Sequence, residues 1–226
     1  MSDSPGAGAS ARARRRVSPL AVLGVLLLAA GLGCLGWLAY QYVGTDIVAS
    51  RAFDSQRQDL RGRWQQPAAI PPATPPAPQP GDATALLRVP AFGADYEIPV
   101  LEGTEPDILN RGVGHYRGTA AAGEVGNYAV AGHRVTHGQP FSRLLDLGKG
   151  DQVVVETRTA VYTYVLDEPP RDLTVADTAG WVLDPVPGEP GREATRALIT
   201  LTTAQDLFRS ADRSVGFGHL ESTKNK

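Results

Sequence analysis

The longest uninterrupted apolar run of the chain lies close to its amino end. Residues 20–40 contain no charged side chain, and this length is enough to cross a bilayer as a helix. Trp37, Tyr40 and Tyr42 lie near its far end, where aromatic rings favour the membrane interface. We therefore predict a transmembrane anchor over residues 19–43. A cleaved signal peptide is the alternative, although its apolar core would be shorter.

The residues before this run predict its orientation. Residues 1–16 are small, polar and basic, and such a composition buries no core. Because positive charge stays on the cytoplasmic side of a membrane, the pattern predicts a basic cytoplasmic tail over residues 1–18. Everything after the anchor is then expected outside the cell membrane, on a single-pass protein. The basic positions are Arg12, Arg14, Arg15 and Arg16.

Residues 44–84 are predicted to form a stalk and a linker. Residues 44–65 are rich in charge and predict a solvated helix with few sizeable apolar positions. Residues 65–84 are rich in proline and alanine, which favours an extended, semi-rigid spacer over a proline-motif ligand. The sizeable apolar positions of the helical segment are Ile47, Val48, Phe53, Leu60 and Trp64.

Short apolar runs separated by turn residues dominate the predicted domain, residues 85–226. Such runs predict β-strands, with short helical turns at residues 105–111 and 141–147. Many short strands with little helix predict an all-β sandwich or barrel. The predicted strands cover residues 86–89, 96–101, 127–131, 152–157, 160–166, 197–203 and 215–220, and a looser stretch rich in Pro and Gly covers residues 173–196.

Composition narrows the function classes. The chain has 226 residues and a formal net charge of -2, and its β region is about the size of one ordinary domain. A nearly neutral chain is not typical of nucleic-acid binding, which favours a basic domain. The single cysteine, Cys34, lies in the apolar run, so no intramolecular disulfide can form. Four scattered histidines give no zinc-site spacing, and the sequence indicates neither a metal nor a cofactor.

A candidate site follows from the strand predicted at residues 197–203. The strand ends before a polar loop, and Arg213 opens the next β-like run. Since side chains alternate along a strand, Thr202 and Ala204 share one face at the rim of the sheet. A thiol at position 204 would need an acid such as His133 and a cation such as Arg213. From the residues alone, both side chains are more often ordinary structural or surface positions than members of a site.

Several blocks in one order resemble sortases, the cysteine transpeptidases of Gram-positive cell surfaces. The family pattern is Thr-Leu-x-Thr-Cys at a strand end, an arginine on the next strand and a distant histidine. The resemblance is closest to actinobacterial class E-type sortases and covers roughly residues 85–221. The matching residues are Thr200, Leu201, Thr203, Arg213 and His133, and the wider blocks are residues 112–116, 118–119, 123–127, 131–134, 140–144, 185–187 and 213–220.

The resemblance implies an eight-stranded β-barrel with short helices, behind one transmembrane helix. In the family a cysteine attacks the Thr carbonyl of a Leu-Pro-x-Thr-Gly-like sorting signal on a secreted protein. An amine of a cell-wall precursor or a pilin lysine then resolves the acyl-enzyme. Carried onto this chain, His133 is the general acid and base, and Arg213 binds the substrate and the oxyanion. His115 and His137 are interpreted as supporting or surface residues.

The nucleophile position holds Ala204, and a methyl group cannot attack a carbonyl. Loss of the nucleophile costs about 10⁶ in rate, by analogy with triad hydrolases. Thr202, Ser210 and Cys34 are poor substitutes because of their position or the lack of a base. The sequence favours a sortase-family protein without transpeptidase activity. The alternatives are a binding module for sorting signals or for an active sortase, a cysteine replaced through engineering or sequence error, and a hydrolase with a Thr or Ser nucleophile.

Overall fold

The computed structural model describes residues 18–40, 44–66, 77–204 and 211–226. The first helix, α1, forms part of a unit of its own, Met1–Tyr40, and the other elements belong to a second unit, Gln41–Lys226. The elements in these described ranges are α1 (Pro19–Ala39), α2 (Thr45–Gln65), β1 (Ala83–Arg88), β2 (Ile98–Glu102), α3 (Pro106–Leu109), β3 (Val113–His115), β4 (Gly126–Ala131), β5 (Gln152–Glu156), β6 (Ala160–Glu168), β7 (Thr174–Ala176), β8 (Ala197–Ala204) and β9 (Asp212–Asn225).

α1 is long and apolar enough to cross a membrane. Its 21 residues span about 31 Å at the usual rise per residue, close to the thickness of a bilayer core. Ser18 begins the helix, because its hydroxyl accepts a hydrogen bond from the backbone N–H of Leu20 at 3.3 Å. Pro19 follows at the first helical position, where a missing N–H costs nothing. The flanking predictions at residues 1–17 and 41–43 lie outside the described residues.

Eight strands close into a barrel, and this confirms the predicted fold class. Neighbours follow the order β6, β5, β1, β2, β3, β4, β8 and β9, and β9 pairs again with β6 to complete the ring. β7 adds to the first residues of β9 as a ninth strand of the sheet. The pairs β2–β3 and β4–β8 are parallel, and the other pairs in the ring are antiparallel. Closure of the ring leaves no long free edge.

The strand that precedes position 204 is buried on both faces. Ile199 and Leu201 lie two residues apart on one face of the strand, where both pack in the barrel core and are fully buried. On the other face, the Thr200 hydroxyl donates to Asn127 Oδ1 at 2.7 Å, and a 3₁₀ turn at Gly180–Leu183 covers this pair. The Thr-rich composition of β8 therefore reflects hydrogen-bonded burial as well as strand propensity.

The predicted helix of the stalk is present, but the prediction that it is solvated was wrong. α2 packs on the barrel through Leu60, which joins a buried cluster with Leu86 and Leu101. Phe53 lies seven residues earlier, two turns along the same face, and is also buried. Each such side chain stabilises the packed state by roughly 1.5–3 kcal/mol. Arg61 adds an ion pair to Glu97 at 2.6 Å.

Several predicted boundaries shifted. The first strand begins at Ala83, slightly before the predicted domain, and the last strand runs much further than predicted, Asp212–Asn225. The helical spacing at residues 141–147 gives only a 3₁₀ turn, Leu144–Asp146. The short strand β7 lies in the stretch predicted to be loose. Residues 67–76 of the predicted linker lie outside the described residues.

Candidate active site

The parallel pairing of β4 with β8 brings the candidate residues together. Ala131 pairs with Thr202 near the carboxyl ends of these strands, and parallel strands end at the same edge of a sheet. His133 and position 204 each follow two residues later, so the chain leaves both strands at the same edge. A cavity of about 230 Å³ lies there. It is lined by Thr104, Leu109, Tyr116, Ala131, Gly132, His133, Thr202, Thr203 and Arg213. We call this cavity the groove.

Close packing fixes the turn before His133. A Cβ on Gly132 would come within 2.7 Å of the Phe141 ring, so the position has no room for a side chain. The Thr203 hydroxyl donates to the Gly132 carbonyl at 2.9 Å and ties the turn to β8. The carbonyl of His133 accepts from the Phe141 N–H at 2.9 Å. The backbone on both sides of the imidazole is therefore held by β8 and by the following loop.

The His133 imidazole is held in its neutral form. Burial, assisted by the neighbouring His137, lowers the pKa of His133 to about 4. The two rings stack with centroids 4.9 Å apart. His133 Nε2 lies 3.2 Å from Asn110 Oδ1, and an amide oxygen only accepts, so this contact fits a proton on Nε2. At neutral pH the groove therefore contains an uncharged imidazole.

Arg213 brings positive charge to the same groove. It pairs with Ala204 in the β8–β9 register and with Val175 of β7 on its other side. Its Nη2 lies 4.0 Å from an Asp177 carboxylate oxygen, and its Nη1 donates to the Asp212 carbonyl at 3.0 Å. The side chain is about one-third exposed, at 35%. A guanidinium held in this way can donate to a carbonyl or carboxylate that enters the groove.

The threonines before position 204 have other partners than His133. Thr203 is committed to the Gly132 carbonyl, and Thr202 Oγ1 lies 3.4 Å from the Tyr116 hydroxyl. Within the described part of the chain, the hydrogen bond of the His133 ring goes to Asn110 rather than to a threonine. Ser210, another predicted substitute, lies outside the described residues, and Cys34 is in the separate helix α1. Among the described residues, the geometry therefore shows no hydroxyl activated by His133.

Comparison with known proteins decides the family. The sortase domain model matches residues 87–221, more than half of the chain. This chain belongs to the sortase family. It is 34% identical to sortase SrtE2 of Streptomyces coelicolor, and the match covers 96% of this chain and 90% of that protein.

Solved sortases share the barrel. Sortase E from Streptomyces avermitilis is 39% identical, with a TM-score of 0.59, covering 65% of this chain and 93% of that one. Sortase E1 from Streptomyces coelicolor, solved with a tripeptide in its active site, is 33% identical, with a TM-score of 0.57, covering 66% of this chain and 94% of that one. The predicted resemblance to class E-type sortases is confirmed by these matches.

The groove and the contacts of His133 also involve residues to which the sequence interpretation gave no catalytic role. Tyr116 lies in a block quoted for the resemblance, directly after a predicted histidine, yet only the structure places it beside Thr202. Asn110 lies in the predicted helical turn, and its contact with His133 joins residues 23 positions apart. Neither contact follows from strand alternation or local spacing. His137 was interpreted as support or surface, and it stacks on His133.

His115 lies outside this groove. It lines a neighbouring cavity of about 440 Å³, where its Nδ1 lies 2.9 Å from Glu102 Oε2. Its Nε2 lies 3.0 Å from Thr119 Oγ1 and 3.1 Å from the Ala120 carbonyl. The ring also stacks on Tyr128, with centroids 4.8 Å apart. These contacts connect β2, β3, β4 and the loop after β3, which is a structural role.

Proposed function

We propose that this sortase-family protein is anchored in the cell membrane by α1 and binds sorting-signal peptides in the groove without transpeptidating them. The observation that carries the proposal is a groove that retains a histidine and an arginine beside a strand end whose nucleophile position holds alanine. A neutral imidazole and a guanidinium can bind a peptide backbone, because they offer donors without needing a covalent step. Ala204 removes only the attacking atom.

The tripeptide in the active site of the related sortase E1 supports the choice of ligand. By this analogy, Arg213 donates to a peptide carbonyl, and His133 takes the position of the acid and base. The ligand class is the Leu-Pro-x-Thr-Gly-like signal of secreted proteins. A cell-wall precursor or pilin amine would matter only if an acyl-enzyme formed.

Membrane anchoring follows from two features. α1 matches the thickness of a bilayer core, and arginines precede it in the sequence. We infer that the amino end lies in the cytoplasm and the barrel outside. Protease added to intact protoplasts should then remove the barrel, whereas full protection of the barrel would contradict the orientation.

The main test separates binding from cleavage. The full chain in detergent is titrated against a fluorescent Leu-Pro-x-Thr-Gly peptide, with polarisation reporting binding and mass spectrometry reporting cleavage. We expect saturable binding, no cleavage and no binding of a scrambled peptide. Arg213→Ala should weaken binding by roughly tenfold or more, because a hydrogen bond to a charged group contributes about 1.5–3 kcal/mol.

Arg171→Ala is the matched control, because Arg171 is an exposed arginine outside the groove. It should leave the affinity unchanged. Absence of binding would reject the proposal, and cleavage that is lost on Thr202→Val or Ser210→Ala would favour the hydroxyl nucleophile instead. Sequencing codon 204 in the source genome separates a natural alanine from an engineered or erroneous one.

A further inference from the structure

The loop that follows His133 contains a short left-handed segment. His137, Gly138 and Gln139 have φ angles of 57°, 76° and 48°. His137 and Gln139 are the non-glycine residues with positive φ in the described ranges. At a non-glycine residue such a conformation is strained and persists only where the surrounding structure enforces it. The loop therefore depends on contacts from outside itself.

Helix α2 supplies these contacts. Asp46 Oδ1 accepts from the Gly138 N–H at 2.8 Å, and Asp46 Oδ2 accepts from Gln139 Nε2 at 2.5 Å. Phe53 and Ala49 close over the same glycine, since a Cβ there would lie 2.6 Å from the Phe53 ring and 3.2 Å from the Ala49 Cβ. A carboxylate and two buried side chains of one helix thus hold the centre of the segment.

This segment places a ring against the groove histidine. His137 precedes the held glycine directly and stacks on His133 at 4.9 Å. Its Nδ1 lies 2.8 Å from the Thr136 hydroxyl. Within the described ranges, the groups around His133 are Asn110 from the end of α3 and His137 from the loop, with Tyr116 and Arg213 lining the same groove. Asp46 of α2 is the carboxylate behind His137.

We propose that Asp46 is a positioning residue for His133: by holding the Gly138 N–H, it keeps His137 stacked on the groove imidazole. The proposal rests on the proposed function only in assigning His133 to the binding groove. It adds that the seating of α2 on the barrel controls the environment of this histidine. Displacement of the amino end of α2 would release the left-handed segment and open one face of the imidazole to water.

A purely structural role for α2 predicts something different. Leu60 and Trp64 pack in a separate cluster on β1 and β2, so α2 could stabilise the barrel without affecting the groove. Loss of Asp46 would then lower the melting temperature and leave the chemistry of His133 unchanged. A measurement at the imidazole itself is therefore required.

The test is the reaction of each histidine with diethyl pyrocarbonate, which modifies neutral imidazole, in the full chain in detergent. Peptide mass spectrometry gives the rate at each histidine between pH 3.5 and pH 8. In the unmodified chain, reaction at His133 should be slow and half-maximal near its pKa of about 4. In Asp46→Ala, the rate at pH 7 should rise at least fivefold, and the midpoint should move upward by at least one pH unit toward the ordinary value near 6.5.

Two matched variants separate geometry from charge and from general destabilisation. Asp46→Asn keeps an oxygen acceptor for the Gly138 N–H, so it should restore most of the unmodified profile. Asp59→Ala removes an exposed carboxylate of the same helix, about 20 Å further along at the usual rise, and should change nothing. The rate at His219, on β9 and partnered by Asp167, should be constant in all samples.

Circular dichroism melts establish that each variant is folded. If Asp46→Ala melts below the working temperature, Asp46→Ser is used, since its hydroxyl falls short of Gly138. If folded Asp46→Ala shows the same His133 labelling profile as the unmodified chain, the proposal is overturned. If Asp46→Asn shifts the profile as much as Asp46→Ala does, the effect comes from the lost charge, and the proposal is overturned as well. The labelling needs no peptide, so its failure is distinct from a failure of peptide binding by the unmodified chain.

Discussion

Two histidines on neighbouring strands of this barrel have opposite surroundings. His115 ends β3 and is buried, with oxygen atoms facing both of its ring nitrogens. His133 follows β4, lines an open groove and, among the described residues, has one amide oxygen as its hydrogen-bond partner. Burial beside a second histidine keeps the His133 imidazole neutral.

The difference shows why proximity of a histidine to a motif does not assign it a function. Both residues lie in blocks that resemble sortases. The contacts of His115 saturate its ring and join several barrel elements, so little of it is available to a ligand. The His133 ring is held by stacking and one hydrogen bond, which leaves it able to meet a peptide. The ring of the groove histidine can still reach a ligand, and this accessibility, rather than sequence context, separates it from the structural histidine.

The largest expected effect comes from restoring the nucleophile. Ala204→Cys should form an acyl adduct with a Leu-x-x-Thr-Gly peptide, seen as a mass increase on the new thiol, and the unmodified chain should form none. A missing nucleophile corresponds to about 10⁶ in rate, or roughly 8 kcal/mol of barrier. Adding His133→Ala should then slow acylation by about 10²–10⁴, because the thiol loses the base that takes its proton and the leaving amine loses the acid that receives that proton in turn.

The cavity lined by His115 and Tyr128, outside the groove, provides the control for this experiment. Tyr128 stacks on His115, and its buried hydroxyl has no hydrogen-bond partner among the described residues. Tyr128→Phe in the Ala204→Cys chain should therefore leave acylation unchanged. A folded Ala204→Cys variant that never acylates, across a broad panel of sorting peptides, would mean that the groove has diverged beyond its nucleophile. Equal rates with and without His133 would remove this residue from the chemistry.

The next effect concerns stability. Glu102→Ala leaves the buried His115 Nδ1 without the carboxylate oxygen 2.9 Å away, and a buried polar group left without its partner costs about 1–3 kcal/mol. Asn110→Ala removes the hydrogen-bond partner of His133 and should cost only about 0.5–1.5 kcal/mol. Thermal melts of the full chain compare the two variants. Equal losses would show that the two histidines are not held as differently as their contacts indicate.

The sequence predicted local elements better than their packing. Alternating apolar residues predicted β4, β5, β6 and β8 to within about two residues, and the charge-free run predicted α1. The closure of β6 on β9 joins distant parts of the chain, and it came from the resemblance rather than from local pattern. The prediction that α2 is solvated was wrong because it followed the high charge of the helix and overlooked the spacing of its large apolar residues. Phe53 and Leu60 are seven residues apart, which places them on one face.

For the candidate site too, some residues were predicted from the sequence and their tertiary contacts were not. The resemblance to sortases assigned His133 and Arg213 to one site, and the structure places both in one groove, although their catalytic roles stay predictions. The residues that control the imidazole could not be found from spacing. Asp46 and Gly138 are 92 positions apart, and Asn110 is 23 positions from His133. Such contacts arise only when the tertiary fold brings separate elements together, so no local period reports them.

The last effect is a pH dependence of stability that should be specific to the groove. His133 has a pKa of about 4 in the folded protein, below the value of about 6.5 expected when unfolded. Between these values the unfolded chain binds the extra proton, so stability contributed by neutral His133 is complete above pH 6.5 and is lost as the pH falls toward 4. The loss should reach roughly 2–3 kcal/mol.

Melts of the full chain and of His133→Gln, subtracted at each pH, isolate this contribution from the carboxylates that both proteins share. The difference should be constant above pH 7, change in favour of His133→Gln between pH 6.5 and pH 4, and level off below. Parallel curves down to pH 4 would mean that burial does not hold this imidazole neutral, and the contrast with His115 would then rest on hydrogen bonds alone.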